Sequence, residues 1–286
     1  MRTSASLLLL LLISQSTQDL KVPQFHFTAP SEFASTQKRL ESFDASVLSD
    51  AMRLVGLPDA GPPISVELAP DSSDLARSVD PWVAGLAIRD SVIIFPSRSP
   101  SYPDTTLEDV LRHEVTHALI YRATSGEPVP RWFNEGLAMT AERQWKFSDQ
   151  TRLYYQLVSG PRESLDAIDR LFSGSQQDQI RAYLISSALV RDLVAAKGDA
   201  APGRILTKMR DGASFDAAFL NVTSKTVATA DREFWESHRV WTTWLPVVFS
   251  QEFVWTAVTL LAILAIYRRR RRNAEIEKRW DEEEGE

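Results

Sequence analysis

The stretch from Leu107 to Ala138, LEDVLRHEVTHALIYRATSGEPVPRWFNEGLA, constrains this chain more than any other. It sets His113, Glu114 and His117 in a His-Glu-x-x-His pattern and follows them with Glu135 in the phrase Trp-Phe-Asn-Glu-Gly. Apolar spacing predicts a helix over Leu107 to Tyr121, opened by a capping box of Thr105 and Glu108. On such a helix residues four apart share a face, so both imidazoles point the same way. Glu114 lies roughly 100° further round and borders whatever they hold. Leu107, Leu111, Val115, Ala118 and Leu119 gather on the opposite side, leaving the histidine face to line a cleft. The segment Thr124-Ser125-Gly126-Glu127-Pro128 breaks the helix. A second helix is expected over Arg131 to Lys146, with Glu135 near its start.

Two of the four histidines in the chain fall in this pattern. Two imidazoles with a carboxylate as third ligand, and a fourth position left open, are how catalytic zinc sites are built. Glu135 arrives on the next helix after a short break and can fold back on the first. His113, His117 and Glu135 are therefore the candidate ligands for one Zn2+ ion. Cysteine is absent, which excludes a thiolate zinc site, a catalytic thiol and a disulfide scaffold. The net charge of -6 weighs against a nucleic-acid partner.

The two ends suggest placement. Residues 1–16 carry a basic start, the apolar run Leu7 to Ile13 and small polar residues after it, as a secretory signal does. Near the other end an apolar stretch, 245–267, is followed by five arginines, Arg268 to Arg272. A transmembrane helix with arginines on one side orients that side toward the cytoplasm. The expected organisation is a signal peptide over 1–16, a domain over 17–243, a membrane span over 245–267 and a charged cytoplasmic tail over 268–286. This is a single-pass type I arrangement with the domain outside the cytoplasm, periplasmic in a Gram-negative cell.

Within the domain, strands are expected at Gln24–Thr28 and Ile64–Leu68, with a hairpin over Val83–Phe95 turning at Arg89-Asp90-Ser91. Ser31 to Leu54 reads as one helix and Asp71 to Asp80 as loop. Further helices are expected at Thr151–Val158, Ser164–Phe172, Gln177–Lys197, Gly203–Arg210, Ser214–Phe219 and Val227–Val240. A few strands followed mostly by helices make an α+β fold: a small N-terminal mixed sheet with helices, the motif-bearing helix, a mostly helical C-terminal part, then the transmembrane helix.

The pairing of HEVTH with Trp132-Phe133-Asn134-Glu135-Gly136-Leu137-Ala138 resembles the gluzincin zinc metallopeptidases, above all the exported "peptidase MA-like" domains. The resemblance covers about residues 64 to 200 and is strongest at the two motifs. It implies that His113, His117 and Glu135 hold zinc and that Glu114 is the general base. It also implies an oxyanion-stabilising tyrosine where Tyr183 opens a helical run, with Tyr154 and Tyr155 as rivals. The strand Gly85-Leu86-Ala87 would pair with the substrate backbone. The gap from His117 to Glu135 is one residue shorter than in the related aminopeptidases, and no Gly-Ala-Met-Glu-Asn segment precedes the helix. Both departures weigh against an exopeptidase. The resemblance implies a metallopeptidase acting on a peptide or protein substrate, and the chain ends lead to the expectation that it is membrane-anchored and extracytoplasmic. The alternative is the same fold kept as an interaction or scaffold module of an envelope complex.

Overall fold

The structure, a computed structural model, describes residues 20–98, 100, 104–142, 147–248 and 251–283. The expected signal at 1–16 lies outside the described residues. The strands are β1 (Phe25–Thr28), β2 (Ile64–Leu68), β3 (Gly85–Ile88) and β4 (Ser91–Ile94). The helices are α1 (Ala34–Glu41), α2 (Ser49–Val55), α3 (Asp74–Ser78), α4 (Leu107–Ala123), α5 (Arg131–Glu142) and α6 (Phe147–Ser159). They continue with α7 (Leu165–Leu171), α8 (Gln176–Lys197), α9 (Ala201–Arg210), α10 (Phe215–Thr223), α11 (Val227–Val248) and α12 (Gln251–Glu283).

The sheet is mixed, in the order β1-β2-β4-β3. β1 runs parallel to β2 and β2 parallel to β4, while β3 returns antiparallel to β4 and forms an edge. β2 alternates buried and exposed residues, as a strand with one covered face must. Helix α4 packs on β3 and β4 on one side and on α2, α5 and α9 elsewhere. It is consequently buried almost all round, and His113 and Glu114 are only 4% and 8% exposed. The histidine face, expected from the helical wheel to line a cleft, does line one, set deep between α4 and the elements packed around it. Helix α5 lies between α4 and α8, and its Phe133 and Leu137 are fully buried. Each such side chain contributes roughly 2–3 kcal/mol of apolar burial.

The α+β architecture agrees with the sequence reading, with local corrections. The single helix expected over Ser31–Leu54 is broken after α1. The Asp44 carboxylate accepts from the Ser46 backbone N–H and hydroxyl at 2.9 and 2.7 Å, which restarts the chain as a 3-10 turn leading into α2. The expected loop at Asp71–Asp80 contains α3, whose first turn is capped by the Ser73 hydroxyl. The capping box of α4 sits one residue later than Thr105 and Glu108. Thr106 caps the Asp109 N–H at 3.1 Å, and the Asp109 carboxylate reaches back to the Thr106 N–H at 3.1 Å and the Thr105 hydroxyl at 2.7 Å.

Among the described residues no helix is long and apolar enough to cross a membrane. The stretch 245–267 includes the end of α11 and the beginning of α12, with 249–250 outside the described residues. The apolar run from Phe253 to Tyr267 extends about 22 Å at helical rise, against a hydrocarbon core of about 30 Å. From residue 255 onward its large apolar side chains stand exposed around the helix, among them Trp255, Leu260, Leu261, Ile263 and Ile266.

Candidate metal centre and catalytic cleft

The site is assembled where α4, α5, α8 and the edge strand β3 meet. His113 and His117 project from one face of α4, their rings 4.8 Å apart and nearly perpendicular. Glu135 comes from the second turn of α5. Its Oε2 lies 3.5 Å from His113 Nε2 and 3.3 Å from His117 Nε2. These three donor atoms all lie within 4.8 Å of one another. Glu135 Oε2 is buried without a hydrogen bond. A buried carboxylate oxygen facing two imidazole nitrogens is costly unless something cationic occupies the point they share. Two imidazoles and a carboxylate fit a divalent metal ion, with room for a fourth ligand on the cleft side.

Supporting contacts fix this geometry. His117 Nδ1 donates to the Asn134 amide oxygen at 2.9 Å, which leaves Nε2 with its lone pair toward Glu135. Nothing in the sequence reading gave Asn134 a role, although it directly precedes the glutamate. The only local signal is an amide one residue before a metal-ligating candidate. The start of α5 is held by Asp169 of α7, which accepts the Trp132 N–H at 2.7 Å. The close approach of α5 to α8 depends on Gly136. A Cβ there would meet the Ser186 carbonyl oxygen at 2.4 Å and Val190 Cγ2 at 2.7 Å. Ser186 lies one turn after Tyr183 on α8, so the same approach brings Tyr183 over the site, its ring 6.2 Å from that of His113.

The edge strand completes the cleft. Ala84 O accepts the Phe95 N–H at 2.9 Å. By alternation Leu86 and Ile88 also turn their backbone groups to β4, while Gly85 and Ala87 turn theirs to the open edge. The Ala87 N–H already donates to the Glu114 carboxylate. Gly85 lets the strand sit flush on α4, because a Cβ there would meet Val110 Cγ1 at 2.4 Å and Glu114 Cγ at 2.8 Å. A cavity of about 280 Å³ brings together Gly85, Leu86, Ala87, His113, Glu114, His117, Asn134, Glu135 and Tyr183. A smaller one, of about 60 Å³, continues past Glu114 and Tyr183 toward Trp82 and Gln179, whose side chains are hydrogen-bonded at 3.0 Å. All eight residues expected at the site from sequence are therefore gathered in one place. Of the rival tyrosines, Tyr155 is 68% exposed, and neither it nor Tyr154 lines these cavities.

Burial and charge set the protonation states. Burial raises the Glu114 pKa, and the nearby histidines and the Ala87 N–H only partly oppose it. Burial would also raise that of Glu135, but His117 and His113 hold it well below the usual carboxylate range. The Tyr183 phenol is pushed well above its ordinary value by burial and by the carboxylates of Glu135 and Glu114, so it stays a donor.

A mixed sheet whose edge strand flanks a helix bearing two histidines, with a glutamate returned from the next helix, defines a zincin-like domain with a potential metal site. Residues 59–240 match the family profile described as the Peptidase MA superfamily, and the chain belongs to that family. Among curated proteins none matches it.

Proposed function

We propose that the protein is a zinc-dependent metallopeptidase of the gluzincin type, tethered to a membrane and working outside the cytoplasm. The observation that carries the catalytic part is the convergence of His113, His117 and Glu135 on one point, in the same cavity as Glu114 and Tyr183. Zinc is the ion this donor set suits best. When bound, it supplies Lewis acidity toward a substrate carbonyl and toward water. Glu114 takes the proton of the attacking water and passes it to the leaving amine. The Tyr183 hydroxyl donates to the oxyanion that forms at the attacked carbonyl. The open backbone groups of Gly85 and Ala87 align the peptide, the Ala87 N–H being shared with Glu114 until substrate arrives. Leu86 supplies cleft wall rather than backbone pairing.

The apolar first half of α12 and the exposed Arg268 to Arg272 that follow it within the same helix support the tether. In this reading the membrane is met through the C-terminal helix, and the signal at 1–16 directs export.

The test is metal content and hydrolysis of a broad peptide library, measured side by side. We expect one equivalent of zinc in the wild type and in Glu114→Gln, with hydrolysis in that variant reduced by roughly 10²–10⁴-fold. His113→Ala should lose both zinc and activity. Undiminished hydrolysis by Glu114→Gln would remove the mechanism, and zinc binding with no hydrolysis of any peptide would favour the scaffold alternative.

A further inference from the structure

Two cations of the cleft have no task in this chemistry. Arg89 and Arg131 both line the cavity that holds Glu114 and Tyr183. With a net charge of -6 the chain is acidic, so their presence there does not follow from a generally basic surface.

Arg89 is the first residue of the two-residue turn between β3 and β4, and its φ is 58°. That turn position favours glycine, because a Cβ crowds the left-handed backbone. Arginine kept in such a conformation is strained, and strain beside a cleft points to use. The Arg89 guanidinium makes no hydrogen bond or ion pair with any described residue. Its mounting is nevertheless firm. The neighbouring Asp90 lies 3.5 Å from Arg122, which also donates to the carbonyls of Ala60 and Pro62. Arg131 stands on the α5 wall, its guanidinium 4.7 Å above the ring of Phe172. Its Nε is 3.7 Å from Glu135 Oε1, too long for a hydrogen bond, and the side chain is 48% exposed. Both forks thus retain donors for an incoming group. A guanidinium is matched to a carboxylate, which it binds with two parallel N–H donors.

We propose that Arg89 and Arg131 read a carboxylate of the bound peptide, so that the cleft selects peptides with an acidic side chain near the scissile bond or with a free C-terminus in reach. The inference rests on the peptidase reading and names the substrate class of that site.

The test uses the full-length zinc-loaded Glu114→Gln protein in detergent, which holds peptide without turning it over. Fluorescently labelled peptides are compared in pairs: glutamate against glutamine at each flanking position, and free acid against C-terminal amide. We expect one pair to show at least about tenfold tighter binding of the carboxylate form, the scale of a charge-assisted contact. The pair that shows it identifies the source as side chain or chain end. Adding Arg89→Gly or Arg131→Ala should reduce the preference about tenfold. Arg89→Gly should at the same time raise the unfolding midpoint, because it relieves the turn. Arg89→Gln keeps the turn strain but removes the charge and should lose the preference equally. Equal binding within every pair, or a preference unchanged in the arginine variants, overturns the inference. Because binding is read without turnover, failure of the wild type to cleave any peptide does not imitate that result. Cleavage without carboxylate preference counts against this inference alone.

Discussion

At the scale of single residues, the proposed mechanism separates groups that touch the chemistry from groups that aim them. Asn134 belongs to the second kind, since its amide oxygen holds the His117 ring by Nδ1. Asn134→Ala should weaken zinc binding about 10–100-fold, as loss of a ligand-orienting partner does. Competition with a chelator of known affinity reads this directly, and affinity equal to wild type would deny Asn134 that role. In the proposed mechanism Tyr183 belongs to the first kind. Its phenol is kept protonated by burial and by the adjacent carboxylates, so it is available as a donor throughout the neutral range. Tyr183→Phe removes only the hydroxyl. We expect kcat to fall by about 10²–10³-fold with KM little changed, because the contact is made in the transition state. A rise in KM at constant kcat would instead make Tyr183 a substrate-binding residue.

At the scale of elements, α4 depends on how it begins. Its Thr106–Asp109 box satisfies backbone donors that α4 would otherwise leave unpaired at its first turn. Burial would raise the Asp109 pKa, but hydrogen bonds from Thr105 and Thr106 bring it below its ordinary 3.8. The sign follows: the folded state favours the ionised form, so this stabilisation is complete above about pH 4 and is lost as pH falls through the lowered folded value. Asp109→Asn should therefore cost about 1 kcal/mol near neutrality, with the difference from wild type closing under acid. Urea unfolding at a series of pH values measures it, and a pH-independent difference would assign the effect to packing. The close contacts at Gly136 and Gly85 work between elements. One seats α5 on α8 and the other seats β3 on α4, so the four walls of the cleft are set by two missing Cβ atoms.

At the scale of the whole molecule, α12 stands apart from the domain, packing mainly on α11, which in turn packs on α6 and α8. Among the described residues none covers its exposed apolar side chains as the core is covered. A chain ended at residue 250 should keep the unfolding midpoint and zinc content of the full chain and need no detergent. The full chain should co-sediment with lipid vesicles. A full-length protein that remains in the supernatant would end the tether reading.

The features legible from sequence are those in which neighbours along the chain suffice. Periodicity places α4 and α5, the i, i+4 spacing pairs His113 with His117, and alternation marks β2 and the β3–β4 hairpin. Glu135 is legible because a short break must return α5 to α4. What was misread locally turned on side-chain hydrogen bonds that compete within a few residues, as with Asp44 breaking the first helix and Asp109 moving the cap from Thr105 to Thr106. What was not legible at all depends on contacts between distant segments. Three-dimensional packing brings Tyr183 into the cavity and leaves Tyr154 and Tyr155 out of its lining, because the α8 backbone lies against Gly136. It sets the depth of the cleft that the helical wheel leads one to expect, burying His113 and Glu114 beside β3 and the Tyr183 side chain. It also turns Asn134 from a letter in a motif into the partner of a histidine, and places a strained arginine at the rim. A sequence pattern specifies which groups one element can present, whereas the field and burial that set their chemistry come from what packs against that element.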